Sequence, residues 1–256
     1  LARAGATVAS LDDFGQCDVV LVVLPGPREV ADVGPKLLDR MRSGSSLVVM
    51  STTSRETIAA LNDLATKRGV AIIDAPMTGA ADGASAGALT IMVGAEAADL
   101  ETVRPVLTAI SERIYLVGPL GCGTAIKLLT NMLWFIHVVA LCDALAFGVK
   151  SGIPANVVAE VIPNTAGASW VAEHDLQNII GSDEDRSFNL ALCVKDLGLI
   201  ASLAEEIQVP IPFASLAAER FERARREFGD DAGELAVGRL TEAAAGISIR
   251  SGGDAS

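Results

Sequence analysis

Up to Val117 this chain alternates short β-branched runs with amphipathic stretches, and after Val117 the runs stop. That switch limits the possible folds more than any other feature. Asp18 to Leu24 reads Asp-Val-Val-Leu-Val-Val-Leu, a continuous run ended by Pro25. Such a run suits a parallel strand buried on both faces, not an alternating half-exposed one. Further strands are expected at 46–50, 70–74, 89–93 and 114–117. Helices are expected at 28–41, 54–68 and 97–111, the second N-capped by Ser54. This alternation predicts an α/β fold built on a doubly wound, Rossmann-type parallel sheet.

The second half reads differently. Gly118 to Gly123 is a glycine-rich turn, and a helical pattern then runs from 124 to 150, ended by Gly152 and Pro154. Its most apolar stretch, Met132 to Cys142, is shorter than the roughly 20 residues that span a bilayer. His137 lies within that stretch, and Asn131 and Asp143 flank it. A buried core helix is expected, with no membrane. Asp143 is acidic in an apolar setting and needs a basic partner that the sequence does not name. Beyond 150 nearly everything reads as helix, at 155–163, 170–179, 190–206, 211–227 and 232–245. The Gly/Ser-rich tail, 250–256, is expected to be mobile. The expected organisation is a nucleotide-type domain over 1–119, an interdomain helix over 120–150 and an all-α domain over 151–256, with a small-molecule cleft where the domains meet.

Charge and composition exclude several functions. A net charge of −12 argues against nucleic acid, which needs clustered Lys and Arg. The four cysteines, Cys17, Cys122, Cys142 and Cys193, have no C-x-x-C spacing. They read as reduced thiols of a cytoplasmic protein. His137 and His174 are the only histidines, so neither a metal site nor a histidine triad is expected. No secretory signal is visible and the first residue is Leu1, so a processed or truncated product is expected.

Three stretches carry chemistry. Asp74 to Leu89 begins where the third strand ends, the side on which open parallel sheets bind ligands. Thr78 offers a hydroxyl there, and the N–H groups of Gly79 and Ala80 are placed to hold a carboxylate. By composition alone the stretch reads equally as a glycine-rich surface loop. Gly121 to Asn131 puts Lys127 and Asn131 four residues apart, hence on one helix face. Lys127 reads either as a snorkelling lysine or as a proton donor and acceptor. Desolvation and the positive end of a helix both disfavour its charged form, which suits acid–base work. Lys195-Asp196, early in an apolar helix, reads either as a solvated charge pair or as part of a site. A weaker signal is Leu24-Pro25 and Ser51-Thr52, at the ends of the first two strands.

Taken in order, these motifs resemble the β-hydroxyacid dehydrogenase family, over nearly the whole chain. The family's D-A-P-V-S-G-G-x-x-G-A-x-x-G-x-L falls on Asp74 to Leu89, with Met77, Thr78 and Ala80 replacing Val, Ser and the second Gly. Its G-x-G-x-x-x-K-x-x-x-N is matched in full from Gly121 to Asn131, and its K-D falls on Lys195-Asp196. The resemblance implies a hydride exchange between NAD or NADP and a small 3-hydroxy acid or semialdehyde. It implies Lys127 as acid–base with Asn131 beside it, and Thr78, Gly79 and Ala80 on the substrate carboxylate. It further implies Leu24, Pro25, Glu29, Thr52, Lys195 and Asp196 on the cofactor, and a homodimer or tetramer formed through the helical domain.

The family opens with a strand, a G-x-G-x-x-G turn, a helix and a second strand, and none of these is in the sequence. A βαβ unit of about 30 residues is therefore expected to be missing before Leu1. With it would go the pyrophosphate cradle and the residue that tells NAD from NADP. A natural short form would bind cofactor badly and expose interior strand edges. Two other readings remain. Imine reductases share the architecture, but usually carry Asp or Tyr where Lys127 stands. A non-catalytic dimeric scaffold is the other, although scaffolds of this kind lose the lysine.

Overall fold

The computed structural model describes residues 5, 7–181 and 188–249. The tail 250–256 lies outside the described residues. Two compact units part within one long helix, between Leu128 and Leu129.

The first unit is a sheet covered on both faces. In chain order it comprises β1 (Val19–Val22), α1 (Pro27–Leu38), β2 (Ser46–Val49), α2 (Arg55–Thr66), β3 (Ala71–Asp74), β4 (Met77–Thr78), α3 (Ala80–Ala86), β5 (Leu89–Gly94), α4 (Ala97–Thr108) and β6 (Ser111–Gly118). Strands β1, β2 and β3 are parallel neighbours, with Val20 opposite Leu47 and Leu47 opposite Ile72. The β2 residues are buried throughout, and their side chains go alternately to two cores. Leu47 and Val49 pack with Val30 and Leu38 of α1 and Ile58 and Leu61 of α2. Val48 packs on the opposite face with Ile73, Ile91 and with Leu100 and Val103 of α4. Double coverage is why β2 reads as an unbroken apolar run; in β1, expected to be buried on both faces, Val19 and Leu21 are only half-buried and alternate with the buried Val20 and Val22. Ser54 caps α2 as expected, accepting from the Thr57 N–H at 3.1 Å.

The parallel ladder resumes between β5 and β6, and the two blocks meet antiparallel at the single pair Asp74–Gly94. The stretch after β3 holds more regular structure than its glycines suggested. Met77 and Thr78 pair with Ile91 and Thr90, and an alanine-rich turn of helix, α3, follows. Gly87 ends it in the left-handed conformation at φ +66°.

The long helix α5 (Cys122–Lys150) would extend about 44 Å at 1.5 Å per residue. By length and composition it is apolar enough to cross a membrane. Its buried side chains make it a core helix instead. Phe135 and Leu145 have no exposed surface, and Phe135 meets Phe221 edge to face at 5.0 Å between ring centroids.

The rest of the second unit consists of α6 (Ala155–Val161), α7 (Trp170–His174), α8 (Leu176–Gly181), α9 (Leu190–Glu206), α10 (Pro212–Phe228) and α11 (Gly238–Ala245). Segment 170–179, expected as one helix, is two that part at Asp175, whose carboxylate accepts from the Trp134 indole N–H at 2.9 Å. Segment 232–245 begins as a tight turn at Glu234–Val237 before α11. The base that Asp143 required is Arg220 of α10, at 3.3 Å, and Thr241 of α11 donates to the same carboxylate oxygen at 3.1 Å.

Phe221 is fully buried in an aromatic group with Trp134 and Phe135. Its truncation to Ala would leave a cavity that rigid neighbours do not refill. Phe221→Ala is expected to lower the unfolding free energy by about 3–5 kcal/mol, read by chemical denaturation.

Candidate active site

Because β1, β2 and β3 are parallel, their carboxyl ends share one edge of the sheet. Three loops leave that edge side by side. Leu24 and Pro25 follow β1, Ser51 and Thr52 follow β2, and Asp74 ends β3 before running into Thr78. Ser51 joins the first two. Its hydroxyl accepts from the Leu24 N–H at 2.7 Å and lies 3.3 Å from the Val22 carbonyl, to which it donates. Ser51 is buried and structural, whereas Thr52 is half-buried with Leu24 and beside the exposed Pro25. An apolar ledge with one hydroxyl suits a nucleotide's flat ring and sugar, so the residues at this edge fit NAD or NADP. Glu29 lies in the first turn of α1, half-buried.

The next loop presents Thr78, Gly79 and Ala80, all exposed. Gly79 has φ +127° and Ala80 has φ +52°. The motif's second glycine is thus replaced by alanine at a position where the backbone is left-handed. For an L-residue this conformation costs roughly 1–2 kcal/mol. The strain lies in the loop expected to hold substrate.

Asp74 fixes the start of α5, a role the sequence did not reveal. Its carboxylate accepts from the Gly121 N–H at 2.8 Å and from the Thr124 N–H at 2.6 Å, and none of the residue is exposed. A residue 47 positions upstream therefore caps the helix. The approach is close enough to require glycines. A Cβ on Gly123 would lie 2.6 Å from the carbonyl oxygens of Asp74 and Met92, and one on Gly94 would lie 2.2 Å from Asp74 Oδ1. Burial raises the Asp74 carboxyl above its ordinary 3.8, against the opposing pull of the Gly121 and Thr124 donors. Lys127 is the sixth residue of the helix so held, and it is half-buried. The sequence also passed over Arg55, whose Nε comes within 3.5 Å of where a Gly121 side chain would start.

Asn131 lies in the second unit and is half-buried. Its Nδ2 donates to Asp196 Oδ2 at 2.8 Å. The other carboxylate oxygen of Asp196 is 2.9 Å from the Lys195 ammonium. Asp196 itself is 2% exposed, so its carboxylate is turned into the unit and bound there. The structure thus brings Asn131, Lys195 and Asp196 together, and separately brings Leu24, Pro25 and Thr52 to adjacent strand ends.

Removing the Asp74 carboxylate would strand two N–H groups at a buried helix start. Asp74→Ala is expected to cost about 2–4 kcal/mol of stability. The raised carboxyl sets a pH dependence as well. Its titration favours the folded state most at pH values below 3.8 and loses that effect as pH rises through the folded-state value. The stability of the wild type relative to Asp74→Asn is therefore expected to fall as pH rises above about 4. A flat difference in denaturation experiments across that range would contradict this.

Known proteins resemble the chain along its length. Residues 1–118 match the family described as the NAD binding domain of 6-phosphogluconate dehydrogenase. Residues 121–241 match the NAD-binding of NADP-dependent 3-hydroxyisobutyrate dehydrogenase. A 2-(hydroxymethyl)glutarate dehydrogenase of Eubacterium barkeri is 34% identical, over 92% of this chain and 79% of that protein. The mitochondrial 3-hydroxyisobutyrate dehydrogenase of Drosophila melanogaster is 33% identical, over 85% of this chain and 70% of its own. A crystal structure of 3-hydroxyisobutyrate dehydrogenase from Salmonella typhimurium superposes with a TM-score of 0.80 at 28% identity, covering 88% of this chain and 80% of that one. The chain belongs to the β-hydroxyacid dehydrogenase family, NAD(P)-dependent oxidoreductases that act on the CH–OH group of hydroxy acids.

Proposed function

We propose that this enzyme interconverts a small 3-hydroxy acid and its semialdehyde, with Lys127 as the general acid–base. The reading is carried by one observation, the anchoring of the first turn of α5 at the end of β3 by Asp74. That anchor gives the amine a fixed origin beside the edge where a parallel sheet binds ligands. When bound, the nicotinamide supplies or accepts the hydride. In oxidation Lys127 takes the hydroxyl proton, and in reduction it returns a proton to the carbonyl oxygen. Asn131, one turn on along the same helix face, hydrogen-bonds the substrate oxygen.

The Thr78 hydroxyl and the N–H groups of Gly79 and Ala80 grip the substrate carboxylate. Leu24, Pro25, Glu29 and Thr52 line the cofactor, NAD or NADP, with Lys195 closing over its nicotinamide end and Asp196 behind it, paired with the Lys195 ammonium. The domains read as an NAD(P)-binding part over 1–119, the helix 120–150, and a helical part over 151–256 that dimerises. Four free cysteines fit the reducing cytoplasm.

Lys127→Ala is expected to lower kcat by about 10²–10⁴-fold on short 3-hydroxy acids while NADH or NADPH binding, followed by fluorescence, stays nearly intact. Turnover like that of the wild type would remove the lysine from the mechanism. A homodimer or tetramer is supported by large apolar side chains left exposed on the helical unit, among them Phe147, Trp170, Phe213 and Leu216. Sedimentation at micromolar concentration is expected to find no monomer, and a purely monomeric boundary would rule out the assembly.

A further inference from the structure

The Lys195-Asp196 pair does not present two equivalent charges. Asp196 is buried, and the side chain of Lys195 keeps 25% of its exposure. Neighbours in a helix sequence do not face each other, so the lysine must bend back to reach the carboxylate. The carboxylate in turn reaches across from α9 to Asn131 of α5. A group so enclosed is poorly placed to touch a ligand and well placed to hold residues that do.

We propose that Asp196 is a positioning residue for the acid–base step, acting through Asn131. The proposal rests on the reading that Asn131 touches substrate. An asparagine amide has a donor end and an acceptor end of nearly equal shape, and a half-turn about its last side-chain bond exchanges them. A buried carboxylate only accepts, so Asp196 selects the Nδ2 end of Asn131. One N–H is thereby fixed on Oδ2, and the second N–H and Oδ1 then have defined directions. Without that selection the amide samples both orientations, and half of them offer the substrate oxygen an acceptor where it needs a donor. The Lys195 ammonium, 2.9 Å from the other carboxylate oxygen, keeps the buried charge paired while this is done.

The test is a double-variant cycle in the enzyme with saturating NADH or NADPH. Asn131→Ala, Asp196→Ser and the two combined are compared with Asp196→Asn, which keeps an oxygen able to accept from Asn131. Turnover, substrate KM, cofactor Kd and the unfolding midpoint are measured for each. Asp196→Ser is expected to lose turnover about a hundredfold, as misplacement of a reacting group does, with cofactor Kd unchanged. The combined variant is expected to be no slower than Asn131→Ala alone, because both changes remove one unit. Asp196→Asn is expected to recover most of the turnover.

Losses that multiply in the combined variant would overturn the proposal, as would a weakened cofactor Kd with turnover intact. Asp196→Asn as slow as Asp196→Ser would also overturn it, by moving the effect to Lys195. Should Asp196→Ser fail to fold, Asp196→Asn alone decides, since turnover as low as that of Asn131→Ala contradicts the proposal. Normal turnover in Asn131→Ala would defeat the underlying reading and this inference with it. Impaired turnover in Asn131→Ala with an unimpaired Asp196→Ser would defeat the inference alone.

Discussion

The placement of Lys127 depends on one buried carboxylate. Asp74 ends β3 and takes up the N–H groups of Gly121 and Thr124, so a strand end and a helix start are joined by two charge-assisted hydrogen bonds. The free N–H groups at a helix start need acceptors, and inside a protein an unmet one is expensive. The helix thus cannot slide or tilt at this end without losing both bonds. Gly94 and Gly123 contribute by absence, since a side chain at either would occupy the space the carboxylate needs. Of the G-x-G before the lysine, Gly123 is therefore a packing requirement of the helix start, while Gly121 meets its turn at φ +91°.

The second unit repeats the logic with another aspartate. Asp196 is buried like Asp74 and is held by one distant donor, Asn131, together with the adjacent Lys195. In both places a buried acceptor binds N–H groups of another element. Neither aspartate is open to solvent, so neither is a good direct ligand. Each instead accepts from another element: from the start of a helix in one case, from the Asn131 amide in the other. Backbone strain lies elsewhere, at Ala80 with φ +52° and at Gln208 with φ +56°. Membership in the β-hydroxyacid dehydrogenase family fixes the class of reaction. The Thr78 and Ala80 replacements mark where the stretch after β3 departs from the family pattern.

Much of this was legible in the residue order. The unbroken run of β2 announced a strand covered on both faces, whereas β1, read the same way, alternates half-buried and buried residues. Ser54 announced the start of α2, and Leu190–Glu206 was bounded correctly by its apolar periodicity. Lys127 and Asn131 could be placed on one helix face from their spacing of four. These are local properties, set by periods of two and 3.6 residues and by capping chemistry within a turn.

Tertiary structure alone decided the rest, because it depends on partners far apart in the chain. Nothing local to Asp74 says that its acceptors face residues 47 and 50 positions later. Asp143 asked for a base, and only the packing of α10 supplied Arg220. The antiparallel junction at Asp74–Gly94 and the helix hidden between Gly79 and Gly87 were equally out of reach, since alanine and glycine carry little pattern of their own. The sequence by itself determined the kind of sheet, the order of the helices and the chemistry of the motifs. Which carboxylates are buried, and what they hold, was settled by long-range hydrogen bonds, which form only when distant segments fold together.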